Sequence, residues 1–123
     1  LLSVSVGLLS TNILVVNNYR DYVQDKASHK RTTIVLFGRS FGRIFYLLNG
    51  VMALLLAMPL MLDAPWWIQF LFAAFFALFY ATWRQLYRFE GRELNKTLGH
   101  TARNVFLFTL LLSLLLISLT TGL

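Results

Sequence analysis

The sequence predicts an all-α fold, a polytopic bundle of transmembrane helices. Of the 123 residues, 58% are hydrophobic, and the mean hydropathy is +0.66. The apolar residues occur in long blocks rather than in the alternating pattern of half-buried strands, and such blocks are typical of helices that cross a bilayer. We therefore expect an integral membrane protein that is surrounded by the lipid bilayer.

Four apolar spans follow one another, each near the roughly 17 to 25 residues that a bilayer-crossing helix needs. They are predicted at about residues 1–16, 44–62, 66–83 and 104–121, with loops at 17–43 and 84–103. The first span ends where Asn17 and Asn18 interrupt the apolar run. Because no basic segment of a signal peptide precedes this span, we expect the chain to be the carboxyl-terminal part of a longer protein.

The second and third spans are joined by a short turn, Asp63-Ala64-Pro65. Pro65 stands just before the third span, where a helix does not need the missing amide donor. Trp66 at one end of this span and Trp83 at the other are typical of residues at membrane–water interfaces. The fourth span begins at Asn104, which we interpret as a helix-start or interface residue.

All 11 Lys and Arg residues lie in the loops 17–43 and 84–103, and none lies in the short turn between them. Cytoplasmic loops of membrane proteins carry such an excess, so both loops are predicted to face the cytoplasm. The net charge of +6 alone fits a nucleic-acid-binding protein. The distribution of the charges is instead that of membrane loops, and we expect no nucleic-acid partner.

A regular basic pattern occurs in the loop 84–103. Four cations recur there at intervals of four residues: Arg84, Arg88, Arg92 and Lys96. On a helix this spacing predicts one basic face. Such faces typically contact anionic lipid head groups.

Two carboxylates and an amide follow the first span at helical spacing. Asn17, Asp21 and Asp25 recur every four residues, so on a helix they share one face. The two like charges repel each other unless a cation lies between them, and Mg²⁺ prefers oxygen ligands of this kind. We therefore predict that Asp21 and Asp25 bind Mg²⁺ and act as the catalytic residues.

Four cations surround these carboxylates: Arg20, Lys26, Lys30 and Arg31. Arg and Lys beside a metal are typical of proteins that hold a diphosphate, which indicates a pyrophosphate leaving group. The spacing leaves an alternative open, in which these are ordinary solvated loop charges that pair with one another. Asn17 and Asn18 favour the functional interpretation, since polar groups at the end of an apolar span are costly and tend to be functional.

The run N-N-x-R-D-x-x-x-D, which begins at Asn17, and the K-R-T that begins at Lys30 resemble the second aspartate-rich motif of the UbiA-type intramembrane prenyltransferases. Residues 94–103 are similar to the loop before the last helix in the naphthoate branch of that family. The resemblance covers the whole chain and implies the last four of about nine helices. It departs at His29, where the family pattern usually has a glycine.

The resemblance implies two aspartate motifs, one in each half of the bundle, that hold Mg²⁺ and a polyprenyl diphosphate under a cytoplasmic cap. Only the second motif is present in this sequence, so we expect the chain alone to be inactive. Asp21 and Asp25 would bind the metal. Asn17 or Asn18 would support them, and the four cations would face the diphosphate.

The implied reaction is transfer of a polyprenyl group to 1,4-dihydroxy-2-naphthoate in menaquinone biosynthesis, giving demethylmenaquinone at the inner membrane of a bacterium. Residues 32–43 would form the cap, and Tyr19, Tyr22 or Phe37 would stabilise an allylic cation. Two alternatives stay open. One is another aromatic acceptor such as 4-hydroxybenzoate, and the other is a non-enzymatic membrane transporter or scaffold fragment whose carboxylates are gating or pairing charges.

Overall fold

Helices form almost the entire part of the chain that the computed structural model describes, residues 2–121. The α-helices are α1 (Leu2–Arg20), α2 (Tyr22–Ala27), α3 (Thr33–Phe37), α4 (Arg39–Met61), α5 (Trp66–Arg88) and α6 (Leu94–Thr121), and a 3₁₀ turn at Gly91–Glu93 precedes α6. No strand occurs within the described residues. The predicted all-α class is confirmed.

Three segments within residues 2–121 are long and apolar enough to cross a membrane: Arg39–Met61, Trp66–Arg88 and Gly91–Thr121. They contain nearly all of the second, third and fourth predicted spans, and the protein is an integral membrane protein. The first predicted span also forms a helix, α1, which is not among these three segments. Its asparagines, Asn12, Asn17 and Asn18, lower its hydropathy.

Polar side chains of α1 are satisfied by α4 inside the bundle. The α1 helix packs against α4 and α6, and α5 packs against α6 and α4. Nδ2 of the fully buried Asn12 donates to the carbonyl of Tyr46 at 3.0 Å, and Nδ2 of Asn49 donates to Oδ1 of Asn12 at 2.9 Å. Oγ of Ser5 donates to the carbonyl of Ala53 at 3.0 Å. These bonds allow a helix of mixed polarity to lie where unpaired polar groups would be costly.

Aromatic rings fill the core between α4, α5 and α6. Tyr46 stacks on Phe79 with ring centres 5.4 Å apart, and Phe72 and Phe75 contact Phe108 at 6.1 and 5.3 Å. All of these side chains are buried. Since buried aromatic residues contribute a large apolar area, this packing holds the three helices against one another.

The helices extend into both stretches predicted as loops. Helices α2 and α3 lie within residues 17–43, and α5 and α6 reach into residues 84–103. Leu86, Leu94 and Thr97 in the second stretch are buried, so the extensions of α5 and α6 each pack one face inside the bundle while their other faces carry charge. A search for apolar blocks finds the membrane-length part of a helix and misses such amphipathic extensions.

The predicted basic helical face is wrong, because the chain turns between α5 and α6. Phe89 and Glu90 are extended, and Gly91 has a φ of +57°, a left-handed value that glycine adopts without strain. The four cations therefore lie on three elements: Arg84 and Arg88 on α5, Arg92 in the 3₁₀ turn and Lys96 on α6.

Both basic segments lie at the same end of the bundle. Oη of Tyr19 donates to the carbonyl of Leu86 at 2.8 Å, and Nη1 of Arg20 donates to Oδ1 of Asn95 at 2.8 Å. This arrangement agrees with the predicted topology, in which the two basic stretches share one side of the membrane. The side of the membrane on which they lie stays a prediction.

The turn after α2 requires a left-handed residue at position 29. His29 has a φ of +60°. Its amide donates to the carbonyl of Lys26 at 3.2 Å, and the amide of Lys30 donates to the carbonyl of Asp25 at 2.8 Å. This pair of bonds is the Schellman arrangement that ends many helices, usually with glycine at the left-handed position. Histidine therefore holds a conformation that glycine adopts with less strain.

We expect His29→Gly to raise the free energy of unfolding by up to about 1 kcal/mol, because it removes the steric cost of the left-handed backbone. Thermal unfolding of the purified full-length protein in detergent would show a higher midpoint. Ser28→Gly is the matched control, since Ser28 has a φ of −89° and gains nothing from glycine. Equal destabilisation by both substitutions would contradict this account of the turn.

Candidate active site

The two carboxylates lie at a helix break at the basic end of the bundle. Asp21 lies between α1 and α2, and Asp25 lies in α2. The amide of Asp21 donates to the carbonyl of Asn17 at 3.0 Å, and the amide of Asp25 donates to the carbonyl of Asp21 at 2.8 Å. Because these helical bonds continue through the break, the three residues keep the one-turn spacing that the sequence predicts.

Arg20 holds Asp21 in place. Its Nε and Nη2 donate to the two carboxylate oxygens of Asp21 at 2.9 and 3.1 Å, and its Nη1 donates to Oδ1 of Asn95 at 2.8 Å. The hydrogen bonds from Arg20 lower the pKa of the Asp21 carboxyl against the opposing effect of burial, and the positive charges of Arg20 and Lys30 lower it further. Asp21 is therefore ionised at neutral pH and is tied, through Arg20, to the start of α6.

Asp25 keeps one carboxylate oxygen free. Its Oδ2 is buried and has no hydrogen-bond partner within residues 2–121. A buried carboxylate oxygen without a partner is costly, and a cation would relieve that cost.

The donor set fits Mg²⁺, which commonly binds through one or two carboxylates together with waters and phosphate oxygens. The free oxygen of Asp25 and the remaining lone pairs of Asp21 would supply the protein ligands. In the described part of the chain, no group of three or more His, Cys, Asp or Glu side chains could hold a metal. Asp21 and Asp25 would be the ligands that this part of the chain offers to such a site.

A cavity of about 650 Å³ opens beside Asp21, whereas Asp25 is not among its lining residues. Its lining combines charged, amide and backbone groups: Arg20, Asp21, Val23, Gln24, Arg39, Glu90, Gly91, Arg92 and Asn95. Three guanidinium groups lie in this lining against two carboxylates. Guanidinium groups present forked donors that match phosphate oxygens, so the cavity is suited to an anionic phosphate group.

The predicted diphosphate-binding cations divide into two groups. Arg20 lines the cavity. Lys26, Lys30 and Arg31 are exposed and are not among its lining residues. The charge of Lys30 nevertheless contributes to the lowered pKa of Asp21. The structure therefore brings one of the four cations, Arg20, directly to the cavity. It also places Lys30 close enough to Asp21 for its charge to act on that carboxylate.

Sequence reasoning missed five polar residues of the lining, namely Gln24, Arg39, Glu90, Arg92 and Asn95. Asn95 belongs to the stretch that resembles the prenyltransferase family, so a signal for it was present in the sequence. The two arginines are distant from Asp21 along the chain, and only the tertiary fold brings them to the cavity. Asn17 and Asn18, which were predicted to support the carboxylates, are half-buried on α1 and are not among the lining residues.

The aromatic rings predicted to stabilise an allylic cation contact groups of the protein itself. The guanidinium of Arg39 lies 5.1 Å from the ring centre of Tyr19 and 5.4 Å from that of Tyr22. Nζ of Lys26 lies 5.7 Å from the ring centre of Tyr22. Phe37 is exposed and contacts the ring of a neighbouring phenylalanine. None of the three rings belongs to the lining of the cavity.

The predicted cap, residues 32–43, is a helical corner anchored in the bundle. Oγ1 of Thr32 accepts a hydrogen bond from the amide of Val35 at 3.1 Å and so caps α3. Ile34 is fully buried, and Gly38, with a φ of +93°, turns the chain into α4. The corner delivers Arg39, the first residue of α4, to the cavity.

A model of the UbiA prenyltransferase family matches residues 1–110 of this chain. The chain belongs to the UbiA prenyltransferase family. The matched region includes both carboxylates and every residue that lines the cavity. No solved structure matches the chain.

Two curated proteins are similar to part of this UbiA-family chain. The 1,4-dihydroxy-2-naphthoate octaprenyltransferase of Mycobacterium tuberculosis is 38% identical over 78 residues, which cover 62% of this chain and 26% of that protein. The protein of the same name from Mycobacterium leprae is 40% identical over 65 residues, which cover 53% of this chain and 22% of that protein. The chain thus spans about a quarter of the length of the relatives it matches.

Proposed function

We propose that this chain is part of an aromatic prenyltransferase that transfers a polyprenyl group from polyprenyl diphosphate to 1,4-dihydroxy-2-naphthoate in menaquinone biosynthesis. The observation that carries the proposal is the cavity that Asp21 shares with Arg20 and Arg39 in a chain of the UbiA family. An anion-binding cavity at the end of membrane helices suits a substrate with a charged head and an apolar chain. The choice of acceptor rests on the names of the two mycobacterial relatives.

The chain's own residues would bind and orient the diphosphate. Asp21 and Asp25 would hold Mg²⁺, which when bound supplies Lewis-acid stabilisation of the charge on departing pyrophosphate. Arg20 would add fixed positive charge and N–H donors at the same leaving group. Because Arg20 is held by Asp21 and Asn95, it needs little reorganisation as that charge develops.

Departure of pyrophosphate would leave an allylic cation for the electron-rich naphthoate ring to attack. A carbon–carbon bond would form between the allylic carbon and the ring, and the ring carboxylate would be lost as carbon dioxide with a proton taking its place, which gives the hydroquinone form of demethylmenaquinone. Large apolar side chains are exposed on all three membrane-spanning helices, among them Leu48, Phe70 and Leu110. A site at the end of such helices would leave the long isoprenoid tail in the bilayer.

The proposed location is the inner membrane of a bacterium, with the cavity open to the cytoplasm. All 11 Lys and Arg residues lie within residues 20–43 and 84–103, the stretches that meet at the cavity end of the bundle. Positive charge of this kind accumulates on the cytoplasmic side of membrane proteins. Both named relatives are bacterial proteins, which supports the assignment.

Prenyl transfer by the full-length protein in isolated membranes tests the proposal. Dihydroxynaphthoate and 4-hydroxybenzoate are offered in parallel with a polyprenyl diphosphate and Mg²⁺, and the products are identified by mass spectrometry. Prenylated naphthoquinone that disappears in Asp21→Ala would support the proposal. Product from 4-hydroxybenzoate alone would overturn the acceptor, and no product from either acceptor by an abundant protein would overturn the reaction.

A further inference from the structure

Arg39 is a charged residue of the cavity to which the sequence assigned no individual role. It is the first residue of α4, directly after the left-handed Gly38. It lines the cavity together with Arg20 and Asp21. It therefore comes to the same cavity as Asp21 from a different helix.

The guanidinium of Arg39 is held by aromatic faces rather than by an anion. It lies over the rings of Tyr19 and Tyr22, at 5.1 and 5.4 Å. Its Nη2 makes a long contact of 3.5 Å with the carbonyl oxygen of Tyr19. Its Nε is buried and has no hydrogen-bond partner within residues 2–121.

Two neighbouring arginines show how such a charge is normally satisfied in this bundle. Arg20 donates to the carboxylate of Asp21 and to Asn95. Arg43 donates to Oη of Tyr19 at 3.0 Å and to Oγ of Ser40 at 3.1 Å. A guanidinium is charged at every physiological pH, and a buried donor without an acceptor is costly. Arg39 differs from both neighbours because its buried Nε lacks an acceptor.

We propose that Arg39 binds the diphosphate of the prenyl substrate and that the rings of Tyr19 and Tyr22 hold its guanidinium in position. The inference rests on the proposed function and names a residue for it. Tyr19 and Tyr22 lie on either side of Asp21 in the sequence. The same short segment therefore positions the carboxylate of Asp21 and the planar guanidinium group of Arg39. A guanidinium group can donate two parallel hydrogen bonds to phosphate oxygens, which an ammonium group cannot do.

Kinetics of Arg39 variants in the full-length protein test the proposal. We expect Arg39→Gln to raise KM for the polyprenyl diphosphate about ten- to a hundred-fold, as loss of hydrogen bonds to a charged group does, with KM for the aromatic acceptor unchanged. Arg39→Lys keeps the charge and is expected to recover part of the loss. Arg88→Gln is the control, because Arg88 is exposed at the same end and is not a lining residue.

A binding measurement separates this inference from the proposed reaction. Inorganic pyrophosphate with Mg²⁺ is expected to raise the thermal unfolding midpoint of the wild-type protein and of Arg88→Gln, and to raise it much less in Arg39→Gln. This result would support the role of Arg39 even if neither aromatic acceptor is prenylated. An unchanged KM together with full stabilisation by pyrophosphate in Arg39→Gln would overturn it.

If Arg39→Gln does not accumulate in membranes, Arg39→Lys is used to test the proposal. Arg39→Lys retains a positive charge near the two rings but lacks the planar fork. A KM for polyprenyl diphosphate raised about ten-fold would support the proposal. A KM equal to that of the wild-type protein would overturn it.

Discussion

Asp25→Asn is expected to lower the rate of prenyl transfer by about a hundred- to a thousand-fold while leaving the protein as stable as the wild type or more so. Oδ2 of Asp25 is buried without a hydrogen-bond partner within residues 2–121, so the folded protein gains little from the charge. The neutral amide removes the charge from this half-buried side chain but is a poorer ligand for Mg²⁺. Initial rates in membranes and thermal unfolding in detergent measure the two effects.

Glu93→Gln is the matched control for this substitution. Glu93 lies in the 3₁₀ turn at the same end of the bundle, is exposed and is not a lining residue of the cavity. The substitution makes the same change from carboxylate to amide. Because it alters only the surface, we expect the prenyl-transfer rate of Glu93→Gln to stay within about two-fold of the wild type. Equal rates for the two variants would contradict a catalytic role for Asp25. A large loss of stability in Asp25→Asn would indicate a structural role instead.

Gly50→Ala is expected to lower the free energy of unfolding by about 1–3 kcal/mol, the range found when a packed core is overfilled. A Cβ atom at position 50 would lie far inside van der Waals distance of the ring of Phe79. That ring is buried, stacks on Tyr46 and contacts Phe76, so it has little room to move. The helix propensity gained by alanine, up to about 1 kcal/mol, offsets only part of this cost.

The measurement is the thermal unfolding midpoint of the purified full-length protein in detergent, with Gly7→Ala as control. Gly7 lies in α1, and a Cβ atom there would meet no atom within 4 Å. We expect this control to leave the midpoint unchanged or to raise it, because only the propensity gain applies. A midpoint for Gly50→Ala as high as that for Gly7→Ala would show that α4 and α5 do not pack as described.

The membrane fold could be predicted because lipid imposes a simple rule on the sequence. A helix needs a long apolar block to cross the bilayer, and the block predicted at residues 44–62 lies almost entirely within α4. The polar pair Asn12 and Asn49 could not be predicted, since each looks like an isolated interruption until two helices are brought together. The helical ends beyond the blocks were missed for the same reason, because their burial depends on neighbouring helices.

The site was predictable where the residues are close together in sequence. Helical spacing alone relates Asp21 to Asp25, and the structure keeps that spacing. The break in the helix at Asp21 is not visible in the pattern, and neither is the pairing of Asp21 with Arg20 or the free oxygen of Asp25. Arg39 joins them through the tertiary fold, which no local spacing encodes.

The central claim is that Asp21 and Asp25, together with the arginines of the cavity, bind a diphosphate and Mg²⁺. Calorimetric titration of the purified full-length protein with a short polyprenyl diphosphate, with and without Mg²⁺, tests it most directly. We expect binding that requires Mg²⁺ and that is weakened at least about ten-fold in Asp25→Asn, the result of losing one charged ligand. Binding of equal strength without Mg²⁺, or equal binding by Asp25→Asn, would contradict the claim.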